Sequence, residues 1–200
     1  MSKFKLAYPS GATPLDPNEI EGLIPDYITT QKELNILEQQ NIIEGVNWAD
    51  RQKKSDVLNM KFNYELHRQM FNQVWKWAGS PRTIDKNIGA YWQQIPAQLE
   101  NLFSNTRYWI ENKTYKWNEL AVRFHHKLVF IHVFPNGNGR HARLMTDILL
   151  KFNQQKPFTW GQKMYSLPIE VEGKTRKVYI SALKKADENN FVDLIKFVNN

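Results

Sequence analysis

An all-α fold, a helical bundle interrupted by one short β-hairpin, is what this sequence predicts. Apolar residues recur at three- and four-residue spacing through most of the chain, and strand-like segments nowhere alternate with helices as a parallel sheet requires. With 200 residues, 42% hydrophobic and 13% aromatic, the chain can bury one sizeable core.

The elements follow in order. Residues 1–28 hold most of the early Pro and Gly and are expected to form an irregular arm; residues 29–200 are expected to be a single helical domain. "TQKE" (Thr30 to Glu33) is a capping box, so a helix should start there and run to about Ala49. Phe62, Leu66, Met70, Val74 and Trp77 form the stripe of a second helix, stopped by Gly79. "SPRTIDKNIGAYWQQIP" loses the helical period and has Pro near each end; residues 80–95 are expected to be a hairpin or flap. Pro96 suits the first turn of the next helix, which carries Leu99, Leu102, Phe103 and Ile110. Asn118 is the expected cap of a helix with Leu120, Phe124, Leu128 and Ile131 on one face, and Pro135 should end it near Val133. Helical pattern resumes at about Asn138, and two short helical segments close the chain.

Composition removes several function classes. There is no Cys, hence no disulfide framework, thiolate metal site or Cys nucleophile. No apolar run approaches the ~20 residues of a membrane span, and the first residues lack the apolar core of a signal peptide, so a cytoplasmic protein is expected. The net charge of +7 suits anionic partners, but Lys and Arg are scattered and no nucleic-acid recognition motif is present.

The chemistry concentrates in "HVFPNGNGRHAR", residues 132–143. Gly137 and Gly139 allow the main chain to come close to a ligand. A helix starting at about Asn138 offers amides without intrahelical partners and a dipole that favours an anion. Arg140 and Arg143, three apart in its first turns, add charge. His132, on the far rim of the loop, is a candidate base for an attacking hydroxyl. "GNGRHA" also fits a dinucleotide fingerprint, but that motif needs a preceding strand, and the segment before it has helical periodicity. A metal site from His125, His126, His132 and His141 lacks both i, i+4 spacing and a carboxylate partner.

The stretch resembles the signature of the Fic (filamentation induced by cAMP) family, H-P-F-x-[D/E]-G-N-G-R-x-x-R, and matches seven of its nine specified positions. "VWKWAGSPRTIDKNIG" is similar to the family's flap entry and "VYISALKKADENNFVDLIKF" to its closing helices. "TPLDPNEIEGLIPDYITTQKELN" resembles the mobile mystery protein B subgroup. The resemblance implies the all-α Fic fold with a β-hairpin flap beside the active site, and transfer of AMP from ATP, with Mg2+, to a Tyr, Thr or Ser hydroxyl of a target protein. It makes His132 the base. Gly137, Asn138 and Gly139 become the anion hole, and Arg140 and Arg143 the binders of the leaving phosphates. The flap (Thr83, Ile84, Asp85, Lys86, Asn87, Ile88 and Gly89) would dock the target by strand pairing. It further implies a helix-turn-helix partner protein of a toxin–antitoxin kind.

The chain departs from the family pattern at two positions. Val133 replaces Pro and removes no chemical group. Asn136 replaces the Asp or Glu that ligates Mg2+, and a neutral amide oxygen is a poorer ligand for a hard cation than a carboxylate. Many relatives also carry an inhibitory helix with the pattern [S/T]-x-x-x-E-[G/N]. Here "QNIIEG" places Glu44 and Gly45 on it, within residues 29–50. Glu44 lies on the stripe Leu37, Asn41, Glu44, Trp48, expected to face the core, where an acid needs a partner such as an arginine. Two other readings stay open: transfer of a different phosphate-containing group, and a non-catalytic nucleotide-binding or toxin–antitoxin regulatory module.

Overall fold

The computed structural model describes residues 14–52, 57–162 and 173–200. It is all-α: α1 (Pro17–Ile20), α2 (Gln31–Asp50), α3 (Met60–Phe71), α4 (Ile95–Glu111), α5 (Trp117–Ile131), α6 (Asn138–Phe152), α7 (Lys174–Asp187) and α8 (Val192–Val198), with one 3-10 turn at Trp92–Gln94. Among the described residues no helix is long and apolar enough to cross a membrane.

α5 and α6 lie side by side at the centre, with α2 packed along α3, α3 against α6, α4 against α5, and α7 and α8 against each other. Leu120, Phe124, Leu128 and Ile131 of α5 face the larger core with Leu66, Met70, Phe71, Leu99 and Met145. Ala121 and Val122, one position round, face a second cluster built on Trp160, Tyr179, Leu194 and Phe197. The helix is therefore buried on two sides over its N-terminal half, and its C-terminal end, where the loop begins, is anchored in the larger core by Leu128 and Ile131.

The capping box at Thr30 is present in full: its hydroxyl accepts from Glu33 N–H, and the Glu33 carboxylate accepts from Thr30 N–H. Other boundaries differ from expectation. α3 stops at Phe71 instead of running to Gly79. The Asn41 side chain from α2 accepts from Gln73 N–H and donates to Gln69 O, which caps the helix end from a neighbouring element. Val74 and Lys76 then pair with the arm, Ile24 N–H donating to Val74 O and Lys76 N–H to Gly22 O. α5 starts at Trp117 with Lys116 at its cap, so Asn118 sits inside the first turn.

Of the expected irregular arm, residues 1–13 lie outside the described residues. The remainder contains α1, nucleated by a capping box of Asp16 and Glu19. The expected hairpin at 80–95 is absent: residues 81–91 form bends with no strand. The cause is Arg82, 2% exposed. Its guanidinium occupies the interior of the loop and takes the carbonyls of Ile84 and Ala90, which a hairpin would pair with amides across the ladder.

Candidate active site

His132 is the C-cap of α5 and is left-handed, φ 54° and ψ 61°. That conformation costs a non-glycine residue about 1–2 kcal/mol, and the surroundings hold it there. Arg82 Nε donates to His132 O at 2.7 Å. Arg82 N–H donates to Val133 O at 2.9 Å, and Ala90 N–H to Ile131 O at 3.4 Å. Gly89, at φ +98°, leans on the imidazole's own Cβ; a Cβ on Gly89 would stand 2.6 Å from it. The helix thus ends at Ile131, earlier than Pro135 alone would dictate, because the flap is stitched across its last turn.

The His132 side chain is 7% exposed. Both ring nitrogens are buried and have no hydrogen-bond partner among the described residues. Burial first, then the charges of Arg82 and Lys86, lower its pKa to about 4. At neutral pH the ring is an uncharged acceptor. A buried polar group without a partner is costly, and such groups are found where a ligand or reacting proton completes the set.

Five residues separate this ring from the start of α6, and the loop is closed by Asn138. Its Oδ1 accepts from Phe134 N–H at 2.9 Å and its Nδ2 donates to Phe134 O at 2.7 Å. An aspartate could accept the first bond but not donate the second. Both ends of the amide are consumed in shaping the turn, so the groups left for an anion are the main-chain N–H of Asn138 and Gly139, that of Gly137 donating to the Asn136 side chain. Gly137 is the N-cap of α6, at φ +77°, with no side-chain cap. A Cβ there would lie 2.7 Å from the Phe71 ring. On Gly139 a Cβ would meet no atom closer than Arg143 Nη1 at 3.7 Å, so this side of the helix start is open.

The two arginines go to different neighbours. Arg140 Nη1 donates to Glu38 Oε2 at 2.7 Å, and its guanidinium carbon lies 4.9 Å from the Phe71 ring centroid. Glu38 is 5% exposed, and its other oxygen accepts from Trp75 Nε1 at 2.8 Å. Arg143 lies on the α7 side, 6.0 Å from the Tyr179 ring centroid. Its charge helps to lower the pKa of His125, and it works against the rise that burial imposes on Asp147.

Glu44 is exposed and accepts from Gln73 Nε2 at 2.6 Å; the core-facing position expected for it is not found. The buried stripe of α2 is Leu34, Glu38, Asn41, Gly45 and Ala49, so the helix is turned relative to the apolar stripe that included Glu44. The acid that reaches a loop arginine is Glu38.

Asn136 is the residue offered for Mg2+. Its Oδ1 accepts from Gly137 N–H at 2.5 Å and from Arg140 Nη2 at 3.4 Å. An amide oxygen already engaged by two donors, one of them a cation, does not fit a divalent ion. Among the described residues no group of three His, Asp or Glu side chains could hold one. The flap residues Thr83, Ile84, Asp85, Asn87, Ile88 and Gly89 are exposed, whereas Lys86 turns inward to the Glu19 carboxylate.

Sequence reasoning missed Glu38, Trp75 and Arg82. The first had a weak signal in the spacing of Leu34, Glu38, Asn41, Gly45 and Ala49, hidden because that stripe carries two polar residues and a glycine. A lone tryptophan and a lone arginine carried none.

Residues 58–150 match the model of the Fic/DOC family. The chain is 26% identical over 149 residues to the protein adenylyltransferase Fic of Aedes aegypti, covering 72% of this chain and 28% of that protein. It is 26% identical over 189 residues to a probable protein adenylyltransferase of Aquifex aeolicus, covering 87% of this chain and 54% of that one. It therefore spans well under a third of the mosquito protein and about half of the bacterial one. Among solved structures, BepC of Bartonella tribocorum with bound AMPPNP superposes with a TM-score of 0.66 at 16% identity, covering 92% of this chain and 97% of that one. Fic-1 of C. elegans gives 0.63 at 22%, covering 90% and 50%. The stretch from 58 to 150, which builds this loop, is thus similar to the Fic/DOC family, and the chain has the all-α fold of the Fic domains on which it superposes.

Proposed function

We propose that this protein transfers AMP from ATP to a hydroxyl side chain of a target protein. The observation that carries the proposal is the pairing of a buried, uncharged imidazole without a partner with an uncapped helix start five residues on. The names of the relatives, protein adenylyltransferases in insects and bacteria, support the same reaction, as does the ATP analogue in the BepC structure.

In this reading the triphosphate lies on the amides of Gly137 to Gly139 at the positive end of α6, the Gly137 N–H passing to it from the Asn136 side chain. A ring nitrogen of His132 takes the proton of the target hydroxyl, and the oxygen attacks the α-phosphorus. Pyrophosphate leaves as Arg140 and Arg143 take up its charge. His132 suits the first step because it is unprotonated at neutral pH. The exposed edge of the flap, Thr83 to Gly89, offers main-chain groups to an extended target segment. Mg2+ enters with the nucleotide's phosphates, and no step here depends on a protein ligand for it. An acid on α2 as a restraint belongs to the same proposal. Glu38, 2.7 Å from Arg140 Nη1, is the residue the geometry favours for it, and Glu44 remains the one the sequence pattern favours.

The test is incubation of wild type and His132→Ala with α-labelled and γ-labelled ATP in the presence of a lysate. Label from the α-position on protein, lost in the variant, is the expected result. Label from the γ-position would replace AMP transfer by phosphotransfer. Nucleotide binding with no covalent label would favour a regulatory module.

A further inference from the structure

We propose that His67 is a positioning residue that sets the peptide unit at the phosphate turn, acting as a fixed neutral tautomer. His67 lies on α3, is 0% exposed, and belongs to none of the groups assigned above. Its Nδ1 receives the N–H of Gly79, at the root of the flap, at 3.0 Å. Its Nε2 lies 3.1 Å from the carbonyl of Asn136. A backbone N–H can only donate and a carbonyl can only accept, so both contacts together require a bare Nδ1 and a protonated Nε2.

The ring is held by its flanks as well. It stacks on Phe134 with centroids 3.7 Å apart and planes 16° apart. It meets His141 edge-on at 5.7 Å. His141 in turn ties α6 back to α3, its Nε2 lying 3.0 Å from Asn63 O. His67 therefore cannot rotate away without displacing the loop or the helix.

The consequence lies in the peptide plane. Asn136 C=O and Gly137 N–H belong to one rigid, planar unit and point in opposite directions. Fixing the carbonyl on His67 fixes the direction of the Gly137 amide, which the Asn136 side chain holds in this structure, and with it the entry of the chain into the open amides of Asn138 and Gly139. The same imidazole anchors Gly79, where the flap begins, so the flap root and the phosphate turn share one support. A turn displaced by about 1 Å is enough to cost about a hundredfold in rate.

The kinetic arm of the test rests on the transfer reading; the spectroscopic arm does not. In a long-range 1H–15N histidine spectrum of the wild type, His67 should carry its proton on Nε2 at neutral pH. A proton on Nδ1, or on both nitrogens, would overturn the proposal. Three variants divide the two contacts. In His67→Gln the side-chain amide stands near Nε2 and keeps the donor to Asn136. In His67→Asn the carbonyl stands near Nδ1 and keeps only Gly79. His67→Phe keeps only the stack. The Gly137 amide resonance should stay in place in His67→Gln and move in the other two; an equal shift in all three would overturn the proposal. Where AMP transfer is measured, kcat and ATP affinity should be close to wild type in His67→Gln and fall about tenfold to a hundredfold in the others. Equal losses in all three, tracking their melting temperatures, would reduce His67 to core packing. Absence of ATP binding by the wild type would count against the transfer reading, while the tautomer and the amide shift would still decide the role of His67.

Discussion

Acid should unfold this protein through its buried imidazoles. Burial is the leading cause that lowers His125 to about 3 and His132 and His141 each to about 4. The same cause pushes His67 well below its ordinary value. An unfolded chain protonates histidine near pH ~6.5. Between roughly pH 6.5 and 4 the unfolded state binds protons that the folded state refuses, so their stabilising share is full above that window and is lost as the pH falls. Asp147 works the other way. Burial lifts its carboxyl to about 6, against the pull of Trp160, Phe158 N–H and Arg143. The folded state takes that proton first, which stabilises it as the pH falls below about 6. At about pH 5.5 the first three histidines take up roughly 0.9 proton each on unfolding and Asp147 gives back roughly 0.7. About two protons remain, and His67 adds to them. At about 1.4 kcal/mol per proton per pH unit, these four groups should lower stability by roughly 3 kcal/mol between about pH 6 and 5, and His67 acts in the same direction. That is a large share of the ~5–15 kcal/mol typical of a domain. Urea unfolding followed by circular dichroism across this range measures the slope directly, and His141→Gln should lower it by close to one proton. A slope of less than about one proton in the wild type would mean that these rings are solvated or already charged in the native state.

Other perturbations read the site more locally. Glu38→Gln keeps an acceptor for Trp75 but removes the negative charge that faces Arg140; it should cost about 1–2 kcal/mol, or roughly 3–6 °C in Tm for a chain of this size, while ATP binds more tightly because Arg140 is released. An unchanged Tm would mean that the pair contributes nothing. Arg82→Ala abandons two carbonyls in the flap and that of His132 at the end of α5, and should cost about 3 kcal/mol or more by thermal melting. Arg82→Lys should recover little, since an ammonium cannot fork to three acceptors; full recovery would contradict the organising role given to the guanidinium. Asn136→Asp supplies a carboxylate beside the phosphates and should lower the Mg2+ concentration needed for half-maximal modification. Superimposable Mg2+ titrations would remove that idea.

The motif from 132 to 143 was legible because its chemistry is local: glycines, an amide, a histidine and arginines at fixed offsets lie on one turn and one helix start. The Glu33 capping box was legible for the same reason. The hairpin was misjudged because the alternative partner for its carbonyls, the Arg82 guanidinium, has no periodicity to betray it. Glu44 was expected at the core because it fits the inhibitory pattern and shares a stripe with Leu37, Asn41 and Trp48; the buried face instead carries Glu38 and Asn41, which are satisfied by Trp75, Arg140 and Gln73 on other elements.

By itself the sequence determined the helices, their main apolar faces, and a turn equipped to meet an anion next to a histidine, because these depend on residues within a few positions of one another. Only the tertiary structure decided which groups in that turn are free to act. Asn138 is consumed by Phe134, Arg140 is held by Glu38 and Asn136 faces a guanidinium, while His132 is kept buried and unprotonated. Hydrogen bonding and burial are set by partners that are distant in sequence, from Glu38 on α2 to Arg82 in the flap, and no local pattern encodes which of them arrive.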